Sequence, residues 1–317
     1  MAWAMTELME VSPRDGLQNE AALVPTEAKL ALIQGALAAG VRRIEVTSFV
    51  HPKKVPQLAD AEALCAALGP QEGASLTGLV MNLRGAERAL AMGVIDDIGM
   101  VIPVSDTFAL RNQGMSVAAA CDEAFRVFEA VAAAGRSYQL TLAVAFGCPF
   151  AGRTPLEACL AVAERFASAG LREIALADTI GVAAPGEVTT AFQALSALMG
   201  SETPLRAHFH NTRGLGIANA LAARAAGVTT LDASIGGIGG CPFAPGATGN
   251  IATEELLYAL ERDGAPLPLD LPAILQTASG LEAALGKPLP SLLFRAGLAP
   301  VGEGATPSAP AASSRAR

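Results

Sequence analysis

Basic residues are in deficit in this 317-residue chain: 22 Lys and Arg stand against 30 Asp and Glu, a formal net charge of −8. That balance excludes a general nucleic-acid binder. It leaves room for an anionic ligand, because a local arginine or a metal overrides the global field. Histidine is scarce, with 3 residues, so the placement of each one carries information. The cysteines (Cys65, Cys121, Cys148, Cys159 and Cys241) are scattered and odd in number, with no Cys-X-X-Cys pair. A zinc ribbon and a dithiol redox motif are thereby excluded, and unpaired thiols fit a reducing cytoplasm. No run of about 18 uninterrupted apolar residues occurs, so no membrane span is expected. The N-terminus, Met1-Ala2-Trp3-Ala4-Met5, lacks a basic stretch followed by an apolar core, so no signal peptide is expected. Aromatics are only 4%, while alanine and glycine are abundant, so helices can pack closely.

What is present is a steady alternation of short strand and longer helix. Strands are expected at Leu8–Val11, Arg43–Thr47, Ser75–Met81, Ile95–Ile102, Gln139–Phe146, Glu173–Ala177, Leu205–Phe209 and Thr230–Ser234. Alanine-rich stretches with apolar residues at i, i+3 and i+4 lie between them, as at Thr26–Ala39, Gln57–Leu68, Val117–Ala134, Pro155–Ala169, Pro185–Met199 and Leu215–Ala226. Glycines at 40, 135, 170 and 227 stop helices, and Pro155 and Pro185 start them. Eight β/α units with right-handed crossovers predict a (β/α)8 (TIM) barrel, with a doubly wound open sheet as the other arrangement. Two more helices, about Thr253–Arg262 and Leu271–Leu285, extend the barrel domain, taken as residues 1–299; the Ala-, Pro-, Ser- and Gly-rich tail 300–317 is expected to be disordered.

In such a barrel the active site lies at the C-terminal strand ends. Polar residues cluster there without further assumption. Strand 1 leads into Ser12-Pro13-Arg14-Asp15-Gly16-Leu17-Gln18-Asn19-Glu20, strand 2 carries Glu45 and ends in Thr47-Ser48, and strand 6 ends in Asp178-Thr179. Strand 7 ends in His208-Phe209-His210; residues i and i+2 of a strand face one side, so two imidazoles share a space. That arrangement suits a divalent metal beside carboxylates. Glu45 in an apolar strand needs a partner. The glycine-rich loop around Cys241 does not fit Gly-X-Gly-X-X-Gly, which weakens a dinucleotide reading. His51 is expected in a loop, with Lys53 and Lys54 either solvated or against an anionic substrate tail.

These segments resemble the 3-hydroxy-3-methylglutaryl-CoA lyase family. The likeness rests on Glu10–Glu20, Glu45–Val50, Phe146–Phe150, Asp178–Val182 and Gly237–Pro242, in order over roughly residues 5–295. It implies a divalent cation, Mg2+ or Mn2+, held by Asp15, His208, His210 and Asn250. It also implies that Arg14 stabilises charge on the reacting oxygen, that Cys241 transfers a proton, and that Gln18 lines the site. Glu45 and Glu254 become supporting polar residues near the metal, while Ser48 and Asp178 are expected to bind substrate. The implied reaction is metal-dependent carbon–carbon cleavage of an acyl-CoA to acetyl-CoA and a keto acid, with leucine breakdown as the default pathway and a homodimer as a possible assembly. His208 is a candidate base.

Three departures from the family pattern point to a changed acyl or CoA pocket: Asn211-Thr212-Arg213 in place of Asp-Thr-Tyr, Ala21 in place of lysine, and a different segment at 105–112. Another 3-hydroxyacyl-CoA acid is therefore an alternative substrate. A Claisen-type synthase of the same superfamily and a metal-holding barrel without catalysis are the competing readings; the cysteine loop argues against the former.

Overall fold

The computed structural model of the chain describes residues 6–240 and 249–299. Its centre is a closed barrel of eight parallel strands: β1 (Glu7–Glu10), β2 (Arg43–Ser48), β3 (Ser75–Val80), β4 (Asp97–Pro103), β5 (Ser137–Ala143), β6 (Glu173–Asp178), β7 (Leu205–Phe209) and β8 (Thr230–Ala233). Each strand pairs with the next, and β8 pairs with β1 through Glu7↔Thr230 to Glu10↔Ala233. The expected (β/α)8 barrel is the fold. Parallel strands put every strand-to-helix loop at one end, which is where the polar motifs gather.

The helices around it are α1 (Thr26–Ala38), α2 (Ala61–Leu68), α3 (Leu83–Ala91), α4 (Asp106–Asn112), α5 (Val117–Ala133) and α6 (Leu156–Glu164). Then follow α7 (Pro185–Met199), α8 (Gly216–Ala225), α9 (Thr253–Arg262), α10 (Leu271–Leu285) and α11 (Leu292–Ala296). Their starts are locally encoded. Ser116 accepts from Ala119 N–H at 3.2 Å and Asp270 from Ala273 N–H at 3.0 Å, satisfying donors that a helix leaves open. Gly40, at φ +99°, turns the chain from α1 toward β2. Helix α10 packs on α1: Asp270 N–H donates to Ala39 C=O at 2.8 Å, and Thr277 fills the space over Gly35. No described helix is long and apolar enough to cross a membrane.

Some boundaries differ from the sequence pattern. Strand β5 stops at Ala143 rather than Phe146, because Val144 sits at φ +53° and gives its N–H to the Thr179 hydroxyl at 2.9 Å. A small antiparallel pair, Gly147–Cys148 with Gly152–Arg153, follows. Helix α3 is an addition to the helices expected from the sequence; the Asn82 side chain caps it by accepting from Gly85 N–H at 3.0 Å. Both Cys241 and the tail 300–317 lie outside the described residues.

Candidate active site

One short π-helical turn, Ser12–Gly16, delivers the first two groups. Gly16 N–H reaches back to Val11 C=O at 3.1 Å, a wide turn of the kind found at functional sites. It aims Arg14 and Asp15, both buried, across the mouth of the barrel. Arg14 gives Nε to Glu45 Oε2 at 2.6 Å and Nη1 to Asp15 Oδ1 at 2.5 Å, and Nη2 lies 2.5 Å from the same Glu45 oxygen. Glu45 thus has the partner that its place in an apolar strand requires. Gln18 Nε2 donates to Asp15 Oδ1 at 3.0 Å.

Opposite, β7 and the residue that follows it turn Arg206, His208 and His210 to the cavity, while Ala207 and Phe209 between them do not line it. His208 Nε2 and His210 Nε2 stand 3.2 Å apart, and they lie 3.8 and 3.7 Å from Asp15 Oδ2. One ligand atom from each of the three residues falls within 4.8 Å of the others. Burial alone raises the Asp15 carboxyl, but the Arg14 guanidinium and the two imidazoles override it and hold the group well below the usual carboxylate range. Asn250 Nδ2 donates to Asp15 Oδ2 at 2.9 Å and to Ile238 C=O at 3.0 Å, leaving Oδ1 buried without a hydrogen bond. An orphaned amide oxygen, two ring nitrogens and a carboxylate fit a hard or borderline divalent cation.

The groups lie at the floor of a cavity of about 670 Å3. Arg14, Asp15, Gln18, His208 and His210 line it, together with Arg206 and Asp232. Its outer wall carries His51, Lys54 and Arg84; Lys53 does not line it. Sequence reasoning missed Arg206 and Asp232, although the two-residue period that paired the histidines also places Arg206 on their face.

Several expected site residues are occupied elsewhere. The Asp178 carboxylate accepts from Val182 and Ala183 N–H, both at 2.9 Å, and Ser48 Oγ accepts from Val50 N–H at 3.3 Å. Neither lines the cavity, because each closes the backbone of its own loop. Arg213 Nη1 holds Ile180 and Gly181 C=O at 2.8 and 3.0 Å, and Asn211 Oδ1 accepts from Gly216 N–H at 3.1 Å. These two departures therefore brace loops rather than reshape the pocket wall. Ala21 borders a second hollow beside Lys287, whose ammonium pairs with Glu20 at 2.5 Å.

Glu254 takes Gly236 N–H at 3.1 Å, so it supports the loop after β8 rather than touching the Asp15–histidine cluster. Burial pushes its carboxyl up to about 7, with the Glu10 charge adding to the shift and the Gly236 N–H opposing it. A carboxyl raised above its ordinary 4.5 binds its proton more tightly in the folded state. Its stabilising effect is complete below about pH 4.5 and disappears as the pH rises through about 7. Glu254→Gln cannot ionise; it should match the parent protein in acid and exceed it above pH 7 by up to about 3 kcal/mol, at ~1.4 kcal/mol per pH unit. Urea midpoints of both proteins across this range check it; parallel curves would contradict it.

Asn250 arrives by a close backbone crossing. A Cβ on Gly249 would stand 2.4 Å from the Ile238 carbonyl carbon and 2.5 Å from Gly239 N, while Gly239 itself lies at φ +115°. Backbone cannot yield as a side-chain tip does. Gly249→Ala is expected to cost about 1–3 kcal/mol or more and to weaken metal binding by moving Asn250. Thermal unfolding and a Mn2+ titration read the two effects; unchanged values in both would exclude this tight crossing.

A sequence model of the HMGL-like family matches residues 5–280. The chain is 38% identical to a hydroxymethylglutaryl-CoA lyase of Bacillus subtilis, over 90% of this chain and 94% of that protein. It is 39% identical to the (R)-citramalyl-CoA lyase of Chloroflexus aurantiacus, over 92% and 94%. Among solved structures it resembles an HMG-CoA lyase from Acinetobacter baumannii in complex with coenzyme A and 3-methylmalate, at TM-score 0.88 and 39% identity, covering 94% of this chain and 98% of that one. With the barrel, the polar strand ends and these relatives in agreement, the chain belongs to the HMGL-like family.

Proposed function

We propose that this protein is a divalent-metal-dependent carbon–carbon lyase that cleaves 3-hydroxy-3-methylglutaryl-CoA to acetyl-CoA and acetoacetate. The observation that carries this reading is the convergence of Asp15, His208 and His210 beside Arg14 at the floor of the cavity. Asp15, His208, His210 and Asn250 would hold the ion, Mg2+ or Mn2+, given their oxygen and imidazole donors. When bound, it lowers the pKa of the substrate's tertiary hydroxyl and offsets charge on the reacting oxygens.

The chain's own groups do the rest. Cleavage removes the hydroxyl proton, breaks the C2–C3 bond into a ketone and a thioester enolate, and ends with a proton delivered to the enolate carbon. Arg14, permanently cationic and held by Glu45, faces the oxygen on which charge develops. An imidazole that gives Nε2 to the ion and faces Asp232 with Nδ1 has no free lone pair, so the expected base role of His208 gives way to that of a ligand, and Cys241 is the candidate to protonate the enolate. Lys54 and Arg84 on the outer wall suit the phosphates of a CoA. Cys65, Cys121, Cys148 and Cys159 are unpaired, which accords with a cytoplasmic site of action; leucine breakdown is the matching pathway.

The citramalyl-CoA lyase likeness supports a second reading, in which the same machinery cleaves that 3-hydroxyacyl-CoA acid. Purified protein with Mg2+ or Mn2+ should release acetyl-CoA from 3-hydroxy-3-methylglutaryl-CoA, and EDTA should stop it. Release from citramalyl-CoA alone would move the assignment to the second substrate, and release from neither would refute the lyase.

A further inference from the structure

Barrel interiors of this fold are ordinarily filled by Val, Ile and Leu. Beneath the two histidines this one is ionic. Arg43 forks onto Glu173 with contacts of 2.9 and 2.6 Å, and Arg206 Nε lies 2.9 Å from Glu173 Oε1. Arg206 Nη1 then donates to Asp232 Oδ2 at 2.6 Å and Nη2 to the Thr141 hydroxyl at 2.7 Å. The same Asp232 oxygen lies 3.0 Å from His208 Nδ1. All of Arg43, Glu173, Arg206 and Asp232 are buried. Buried ion pairs of this kind add little stability over a well-packed apolar core, so stability does not account for the column.

Its upper end does account for it. Arg206 can only donate, which fixes Asp232 Oδ2 as an acceptor; Asp232 Oδ1 makes no hydrogen bond, so one oxygen serves both neighbours. A ring nitrogen facing an acceptor must carry the proton. We propose that Asp232, clamped by Arg206, is a positioning residue that holds His208 as its Nδ1–H tautomer and keeps the Nε2 lone pair aimed at Asp15 and His210. The inference rests on the metal reading above for its purpose, though not for its geometry. His210 has no such support, since its Nδ1 is buried without a hydrogen bond. Asp232 is thus what pre-sets the pair.

The test uses the full chain, ¹⁵N-labelled at histidine, metal-free at mildly alkaline pH and then titrated with Mn2+. His208 should be the Nδ1–H tautomer in the parent protein. Asp232→Asn should keep it, because Arg206 draws the amide oxygen to the position of Oδ2. Asp232→Ala should lose it and bind Mn2+ about 10–100-fold more weakly. Should Asp232→Ala not fold, the double change Arg206→Met with Asp232→Leu removes both charges and serves in its place. A folded Asp232→Ala or double variant that keeps the Nδ1–H tautomer, or that binds Mn2+ within about twofold of the parent, overturns the proposal. A parent protein that binds no Mn2+ overturns the metal reading instead, and the tautomer still decides the role of Asp232.

Discussion

Asp15→Ala is expected to abolish turnover, lowering kcat by about 10⁴-fold or more, and to remove detectable Mn2+ binding. Asp15 is the single carboxylate in the three-residue cluster formed by the described residues. Two imidazoles and an amide oxygen are a poor set for a Mg2+-class ion, which favours anionic oxygen. Losing the ion forfeits several kcal/mol of charge stabilisation in the transition state, and each ~1.4 kcal/mol is a factor of ten in rate. The substitution also frees Arg14 Nη1, Gln18 Nε2 and Asn250 Nδ2, all of which now point at Asp15. Arg14 keeps Glu45, so the barrel itself should fold, and circular dichroism would show it. Asp15→Asn, which preserves size but not charge, should show nearly the same loss. A folded Asp15→Ala protein with undiminished rate would remove Asp15 from the metal.

That prediction could be framed from the sequence because strand periodicity and the barrel rule are strong physical constraints. Alternation placed His208 and His210 on one face, and parallel strands brought Arg14, Asp15 and Glu45 to the same end. Closure of the barrel was legible for the same reason: the β/α alternation repeats eight times. Strand periodicity puts Arg206 on the histidine face but does not show which side chain of a neighbouring strand it meets. Asp232 and Arg206 sit 26 residues apart in the chain and meet only because β7 and β8 are neighbours. Asp178 and Ser48 look like site residues in sequence, yet the N–H groups of the loops after their strands claim them. Arg213 reads as a new cation in the pocket, but two backbone carbonyls take it. In each case a backbone group left open in the loop after a strand pairs with a polar side chain, and sequence patterns do not show which side chain it will take.

Arg14→Lys should lower kcat by about 10³-fold while leaving KM nearly unchanged. The guanidinium uses three nitrogens at once: Nε and Nη2 on Glu45, and Nη1 on Asp15. That fork fixes its plane, so the face toward the cavity is aimed before substrate arrives. Lysine keeps the positive charge between the two carboxylates, which is why the fold should tolerate it. Its ammonium is compact and strongly hydrated, and it cannot span Glu45 and Asp15 while also meeting a developing oxyanion. Loss of a single well-placed donor to such a charge typically costs 10²–10³ in rate. Because the charge appears only as the carbon–carbon bond breaks, the loss belongs in kcat rather than in substrate binding. Steady-state acetyl-CoA release by the parent and the variant, at matched metal occupancy, separates the two parameters. A rise in KM with kcat intact would make Arg14 a binding group for the substrate's resting carboxylate or carbonyl, and Glu45 would then serve to orient a specificity contact.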